Sequence, residues 1–227
     1  MTIMRFSEFR LSQVAVSLLV ACLAAAPLGA QEPASAPRSP AEQSRLDGGI
    51  PPFTAEDVAF MQGMIGHHGQ AVLMATWAAD HGARPDIQRL AERIRVAQQD
   101  EIAFMQTWLR DRKQALPDSA SPHAMHAMHD GTTSEAGAAT LMPGMLTDTQ
   151  LAALDAARNQ AFDELFLLSM IRHHEGAVSM VEQLFGAHGA AHDDDIQKFA
   201  NDVAVDQTTE VDRMLQLLES VRAARRQ

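Results

Sequence analysis

The chain has no tyrosine, two tryptophans and one cysteine in 227 residues, and aromatics make up only 5%. So little ring content beside abundant alanine favours helices over strands. The single cysteine, Cys22, sits in an N-terminal stretch that reads as an export signal, so the mature chain is expected to have no disulfide and no free thiol. Any metal chemistry must then use His, Met and carboxylates. Positive charge is also scarce: 18 Lys and Arg stand against 29 Asp and Glu, a formal net charge of −11 at pH 7. Such a chain is repelled by nucleic-acid phosphates and anionic headgroups, and cations are the partners its charge favours. Two motifs are missing as well. No Glu is followed three residues later by His, as helical di-iron oxidases require. The His-Glu-x-x-His of zinc hydrolases is absent too.

The main apolar run is Leu11 to Ala26, broken by Ser12, Gln13 and Ser17 and preceded by Arg5 and Arg10. With Leu28-Gly29-Ala30 as a small-residue cut before Gln31, residues 1–30 read as a signal peptide. The run is too short and too rich in alanine for a permanent membrane span. Residues 1–30 carry Arg5, Arg10 and Glu8, a net +1, so the remainder of a −11 chain carries −12. Leu19-Val20-Ala21-Cys22 also resembles a lipoprotein signal, with lipidation at Cys22 as the second reading. The expected location is therefore periplasmic or secreted, with membrane attachment only if Cys22 is lipidated.

Residues 31–52 are rich in Pro, Ser, Ala and Gly and read as a flexible tether. A second low-complexity stretch, a His/Met-rich linker over 116–146, separates two helical blocks at 53–115 and 147–222. The blocks are copies. Asp57, Phe60, Met64, Ile65, His67, His68, Ala71, Val72 and Met74 recur as Asp163, Phe166, Met170, Ile171, His173, His174, Ala177, Val178 and Met180, at a constant offset of 163 − 57 = 106. Further on, Gln98, Glu101, Met105 and Leu109 recur as Gln207, Glu210, Met214 and Leu218. Each block is thus a helix–turn–helix hairpin. Thr54 and Thr147 look like N-caps, the latter in a capping box with Gln150. Gly82 and Gly189, each after a His, suit helix ends, and Pro85 suits a first turn. Residues 148–158 predict a short extra helix. Two hairpins, each apolar along one stripe, bury both stripes most simply as a four-helix bundle.

On a helix of 3.6 residues per turn, Phe60, Met64, His67, Ala71 and Met74 form one inward stripe, as do Phe166, Met170, His173, Ala177 and Met180. The second histidines, His68 and His174, lie one step round, on the side of Asp57 and Asp163. Thioether sulfur is soft and prefers Cu(I) or Ag(I), imidazole takes Cu(I) and Cu(II), and a carboxylate beside a His can fix its tautomer. Methionine at helical spacing is commonly core filler. Two adjacent histidines on an apolar stripe, twice over, carry a desolvation cost with no structural return. The linker adds His123, Met125, His126, Met128 and His129 within seven residues, then Met142 and Met145, none on an apolar period. Glu101 and Glu210 are weaker candidates, read more simply as a solvated face or an interhelical polar contact.

These residues resemble a bacterial family, domain of unknown function 305. The likeness rests on two copies of Met-Ile-x-His-His-x-x-Ala-Val-x-x-Met, on Met142-Pro-Gly-Met145-Leu-Thr, on Phe162-Asp163, and on the closing helix of each hairpin. It covers about residues 53–111 and 140–220. The resemblance implies a ferritin-like four-helix bundle, and it implies copper handling, since the better-understood members are similar to periplasmic copper-binding, copper-resistance proteins of the CopM type. Gly66 and Gly69-Gln70 of the first copy depart from the Arg and Glu-Gly of the second, so the two sites are expected to differ in affinity. The function expected is a non-catalytic copper (or silver) binder for sequestration, resistance or transfer, with a periplasmic copper exporter or chaperone as candidate partner. The alternatives are a ferritin-like metalloenzyme and a helical interaction module without metal.

Overall fold

Capping residues mark two helix starts in the sequence, and the computed structural model, which describes residues 51–117 and 141–226, places a helix behind each. Helix α1 (Ala55–Asp80) begins at Thr54, whose side chain accepts from the Asp57 N–H while the Asp57 carboxylate accepts from the Thr54 N–H at 2.8 Å. Aspartate at the third position thus closes a full capping box, where the sequence pattern had indicated only the cap. Helix α2 (Pro85–Asp111) carries Pro85 in its first turn, where the missing N–H costs nothing. Helix α3 (Asp148–Ala156) opens on the Thr147–Gln150 capping box. Helices α4 (Asn159–Gly186) and α5 (Asp194–Arg225) follow, the latter capped by the Asp193 side chain. One boundary is corrected. Helix α4 closes at Gly186, ahead of His188, and Gly189 falls in the turn beyond it. No strand occurs among the described residues, so the protein is all-helical there. The expected signal peptide, most of the expected tether, and residues 118–140 of the expected linker lie outside the described residues.

Helices α1 and α2 pack as one hairpin, α4 and α5 as the other, and α1 packs against α4 to join them, with short α3 leaning on both. The hairpins grip each other reciprocally. Asp57 Oδ1 accepts from the Ala191 N–H in the α4–α5 turn at 2.7 Å. Its repeat counterpart Asp163 accepts from the Arg84 N–H in the α1–α2 turn at 3.1 Å. Each first helix therefore satisfies a backbone donor in the other hairpin's turn.

The apolar core falls into two clusters. One holds Met74, Ile94, Met170 and Met214; the other holds Met64, Met105, Met180 and Val203. All four long helices cross from one cluster to the other at a buried polar residue: His67 on α1, Gln98 on α2, His173 on α4 and Gln207 on α5. A polar layer thus divides a core whose flanking side chains each contribute about 1.5–3 kcal/mol by burial.

Candidate metal centre

The layer contains His67, His68, His173 and His174, all with 0% exposure. His67 and His173 meet where α1 crosses α4, with ring centroids 3.8 Å apart and planes tilted by 38°. His68 and His174 flank them at 6.4 Å and 6.3 Å from their neighbours in sequence. Stripe geometry predicts burial of His67 and His173; the structure buries the second histidines equally.

Hydrogen bonds set the tautomers. His67 Nε2–H donates to the Pro143 carbonyl at 2.9 Å. His68 Nε2–H donates to Glu101 Oε2 at 2.5 Å, and His174 Nε2–H to Glu210 Oε2 at 2.7 Å. In all three rings Nδ1 is left as the lone-pair nitrogen, and none of the three has a hydrogen-bond partner. His173 is barer still, since neither ring nitrogen is bonded. The backbone of His67 is close enough to act on the His173 ring electrostatically but is not placed to bond it. Burial drives the His67 pKa down to about 3, His68 and His174 push the same way, and the Pro143 carbonyl opposes them. Burial, then the charges His67, His174 and His68 would carry, holds His173 well below the usual range. Both central imidazoles are therefore neutral at pH 7, which is the form that binds metal.

The carboxylates beside the histidines are Glu101 and Glu210, not Asp57 and Asp163 as the sequence spacing suggested. The aspartates are taken up by the turns described above. Glu101 and Glu210 were legible as repeat counterparts, as were Gln98 and Gln207: 210 − 101 and 207 − 98 both give 109. Their spacing of three residues puts each Gln and Glu on one face of its helix. A buried Gln repeated at that offset was the available signal for this second tier of residues.

Thioethers border the layer from both sides. Met64 and Met180 belong to one flanking cluster, Met74 and Met170 to the other. Met142 joins the first group: a Cβ built on Gly63 would stand 3.2 Å from Met142 Sδ and 3.5 Å from Met180 Cε. Met145, three residues further along the same connection, is also buried. His123, Met125, His126, Met128 and His129 lie outside the described residues. Among the described residues no three His, Cys, Asp or Glu groups converge into a set that would by itself hold an ion. Histidine pairs and thioethers together are what the layer offers.

The segment Met142–Leu146 closes one side of the layer. Besides accepting from His67 through Pro143, it is clasped by Gln70, whose Nε2 donates to the Leu146 carbonyl at 3.0 Å and whose Oε1 accepts from the Leu146 N–H at 2.8 Å. Gly144 adopts φ +77°, a conformation glycine reaches without strain. On α4, Gly176 makes room: a Cβ there would come within 2.1 Å of the Pro143 oxygen. The Gln70/Gly176 departure between the two copies is thereby explained. One residue grips the loop, and its counterpart gets out of the way.

A family model described as Domain of unknown function (DUF305) matches residues 57–218, which takes in both hairpins. The chain belongs to this family. Over 58 residues it is 38% identical to an uncharacterised protein of Acanthamoeba polyphaga mimivirus, a match that spans 26% of this chain and 38% of that one. A DUF305 fragment from Deinococcus radiodurans has a similar structure, at 27% identity and a TM-score of 0.60, covering 75% of this chain and 99% of the fragment. CopM in its Cu(II)-bound form is similar at 28% identity and a TM-score of 0.55, covering 72% of this chain and 96% of CopM. The silver-bound form of CopM is similar at 27% identity and 0.52 over the same shares.

Proposed function

We propose that the protein is a non-catalytic, extracytoplasmic binder of soft metal ions, copper first and silver second, and that the buried histidine layer is its principal site. The observation that carries this reading is the set of five imidazole nitrogens, on four fully buried rings, with no hydrogen-bond partner. Each such atom costs about 1–3 kcal/mol. A ligand that accepts those lone pairs removes the cost. The neighbouring donors are neutral thioethers, so the ion that suits the set is soft. Hard cations ask for a shell of oxygens that the layer does not provide.

Structures of CopM with copper and with silver support the same choice of metal, and so does membership of the DUF305 family. We read the arrangement as a ferritin-like four-helix bundle in which both repeats supply His and Met ligands: Met64, His67, His68 and Met74 from one, Met170, His173, His174 and Met180 from the other. Met142 and Met145 extend the thioether supply at the loop. The linker cluster from His123 to His129 would gather ions and pass them inward. Sequestration or handover, to an exporter or chaperone, is the role we assign to such a site.

Competition titration with Cu(I), Cu(II), Ag(I) and Zn(II) tests the reading on wild type and on His67/His68→Ala and His173/His174→Ala variants. Cu(I) and Ag(I) should bind wild type tightly, and each double variant at least tenfold more weakly. Equally weak binding by all three proteins would overturn it.

A further inference from the structure

The second helices of the two hairpins, α2 and α5, touch at one end and part at the other. Phe104 stacks on Phe199 with centroids 4.8 Å apart, and Arg112 at the end of α2 forms a buried ion pair with Asp193 at the start of α5. Away from that end a groove of about 960 Å³ opens between them. Its walls include Gln98, Glu101, Asp206, Gln207 and Glu210. Arg93 and Arg213 line it towards the start of α2 and the end of α5.

We infer that this groove is the port through which metal reaches and leaves the histidine layer, an inference that rests on the soft-metal reading above. Three other directions are closed. The Met142–Leu146 segment, clasped by Gln70 and packed on Gly176, covers one side, and the two apolar clusters fill the bundle along its axis. The groove is the polar way in. Glu101 and Glu210 span it: their side chains are 18% exposed, while the histidines they hold are 0% exposed. Each carboxylate can take a cation at the water side and deliver it to the imidazole it already touches.

A second observation points the same way. Gln98 is 1% exposed and neither of its amide atoms has a hydrogen-bond partner; the Gln207 oxygen is likewise unpartnered, and both side chains line the groove. Two buried amides with unpartnered polar atoms, one helical turn from the acids that hold the histidines, suit a passage for a partly hydrated ion. Asp206 adds negative charge at the mouth, with Glu101 and Glu210 acting on it. A cleft lined by carboxylates concentrates cations and speeds their arrival.

Stopped-flow measurement of Ag(I) uptake and release tests the port. Ala97 and Thr209, both exposed and both lining the groove, are replaced separately by Trp; Val205→Trp, at a site 64% exposed and outside the groove, is the control. Uptake and release should both slow at least tenfold in Ala97→Trp, with the equilibrium affinity held within threefold and the control unchanged. Thr209→Trp, on the opposite wall, serves if Ala97→Trp does not fold. Asp206→Asn should slow uptake about threefold and flatten its dependence on salt. Equal rates in wild type, groove variants and control would overturn the port while leaving the soft-metal reading intact. Rates and affinity falling together would also overturn it, since the groove would then be part of the binding site. Absence of Ag(I) binding to wild type would overturn both.

Discussion

His67 and His173 occupy the same place in two copies of one hairpin, yet their surroundings differ. His67 Nε2 is bonded to the Pro143 carbonyl, whereas neither nitrogen of His173 is bonded. The cause is not the helices but the connection between them. Two stripes of matching sequence meet at a common centre, but only one segment joins the hairpins, and it can lie on only one side. The loop docks through Gln70 of the first copy and fits against Gly176 of the second, so it completes one imidazole and leaves the other bare. Symmetry in a repeated site is thus limited by whatever is not repeated.

The largest way to break this comparison is to exchange its two sides. Gly176→Ala drives a Cβ into the Pro143 backbone and should cost about 3 kcal/mol or more in chemical denaturation. Gly69→Ala, on the first copy, meets nothing within 4 Å and should stabilise by about 0.5–1 kcal/mol, as expected for alanine replacing glycine in a helix. Two destabilised variants of equal size would show that the loop contact is not what separates the copies.

The pH dependence of the metal-free protein should come next in size. The folded pKa of His67 is about 3 against 6.5 for the free side chain, and that of His173 is also well below 6.5. Below pH 6.5 the unfolded chain therefore binds protons that the folded one refuses. Stability is retained above that pH and falls as the solution is acidified towards pH 3. The slope should approach about 1.4 kcal/mol per pH unit for each of the two rings. Denaturant melts at a series of pH values check this, and a flat profile between neutrality and about pH 5 would contradict the burial of two neutral imidazoles.

A smaller test sharpens the contrast between the two rings. In metal-free protein, His173→Leu removes two unbonded nitrogens and should stabilise by about 1–3 kcal/mol. His67→Leu strands the Pro143 carbonyl and should destabilise by a similar amount. Smallest is Asp163→Asn, which weakens one hydrogen bond to the opposite hairpin's turn for about 1 kcal/mol, whereas Asp57→Asn also disturbs the capping-box bond from the Thr54 N–H and should cost about 2 kcal/mol. Equal losses would contradict the added capping role of Asp57.

Much of this was legible in the sequence, for definite reasons. The helices follow from period and caps, and the paired copies from a constant offset of 106 residues. The central position of His67 and His173 follows from their place between apolar residues on each stripe. The histidines' acidic partners do not follow from spacing along one helix. Asp57 shares a helix face with His68, but eleven residues along a helix is about 16 Å, too far for contact. Only packing between helices brings Glu101 and Glu210 within reach. The Pro143 carbonyl left no trace in the pattern either, because a backbone acceptor has no residue type. What did show was its shadow, the unexplained Gln70/Gly176 difference.

The central claim is that the four buried histidines, rather than the linker histidines, hold the soft metal. Ring-nitrogen NMR of 15N-histidine-labelled protein, recorded before and after one equivalent of Ag(I), tests it most directly. The ring nitrogens of His173 and Nδ1 of His67 should move first, with His68 and His174 following. Shifts confined to His123, His126 and His129, with the buried rings unmoved, would contradict it.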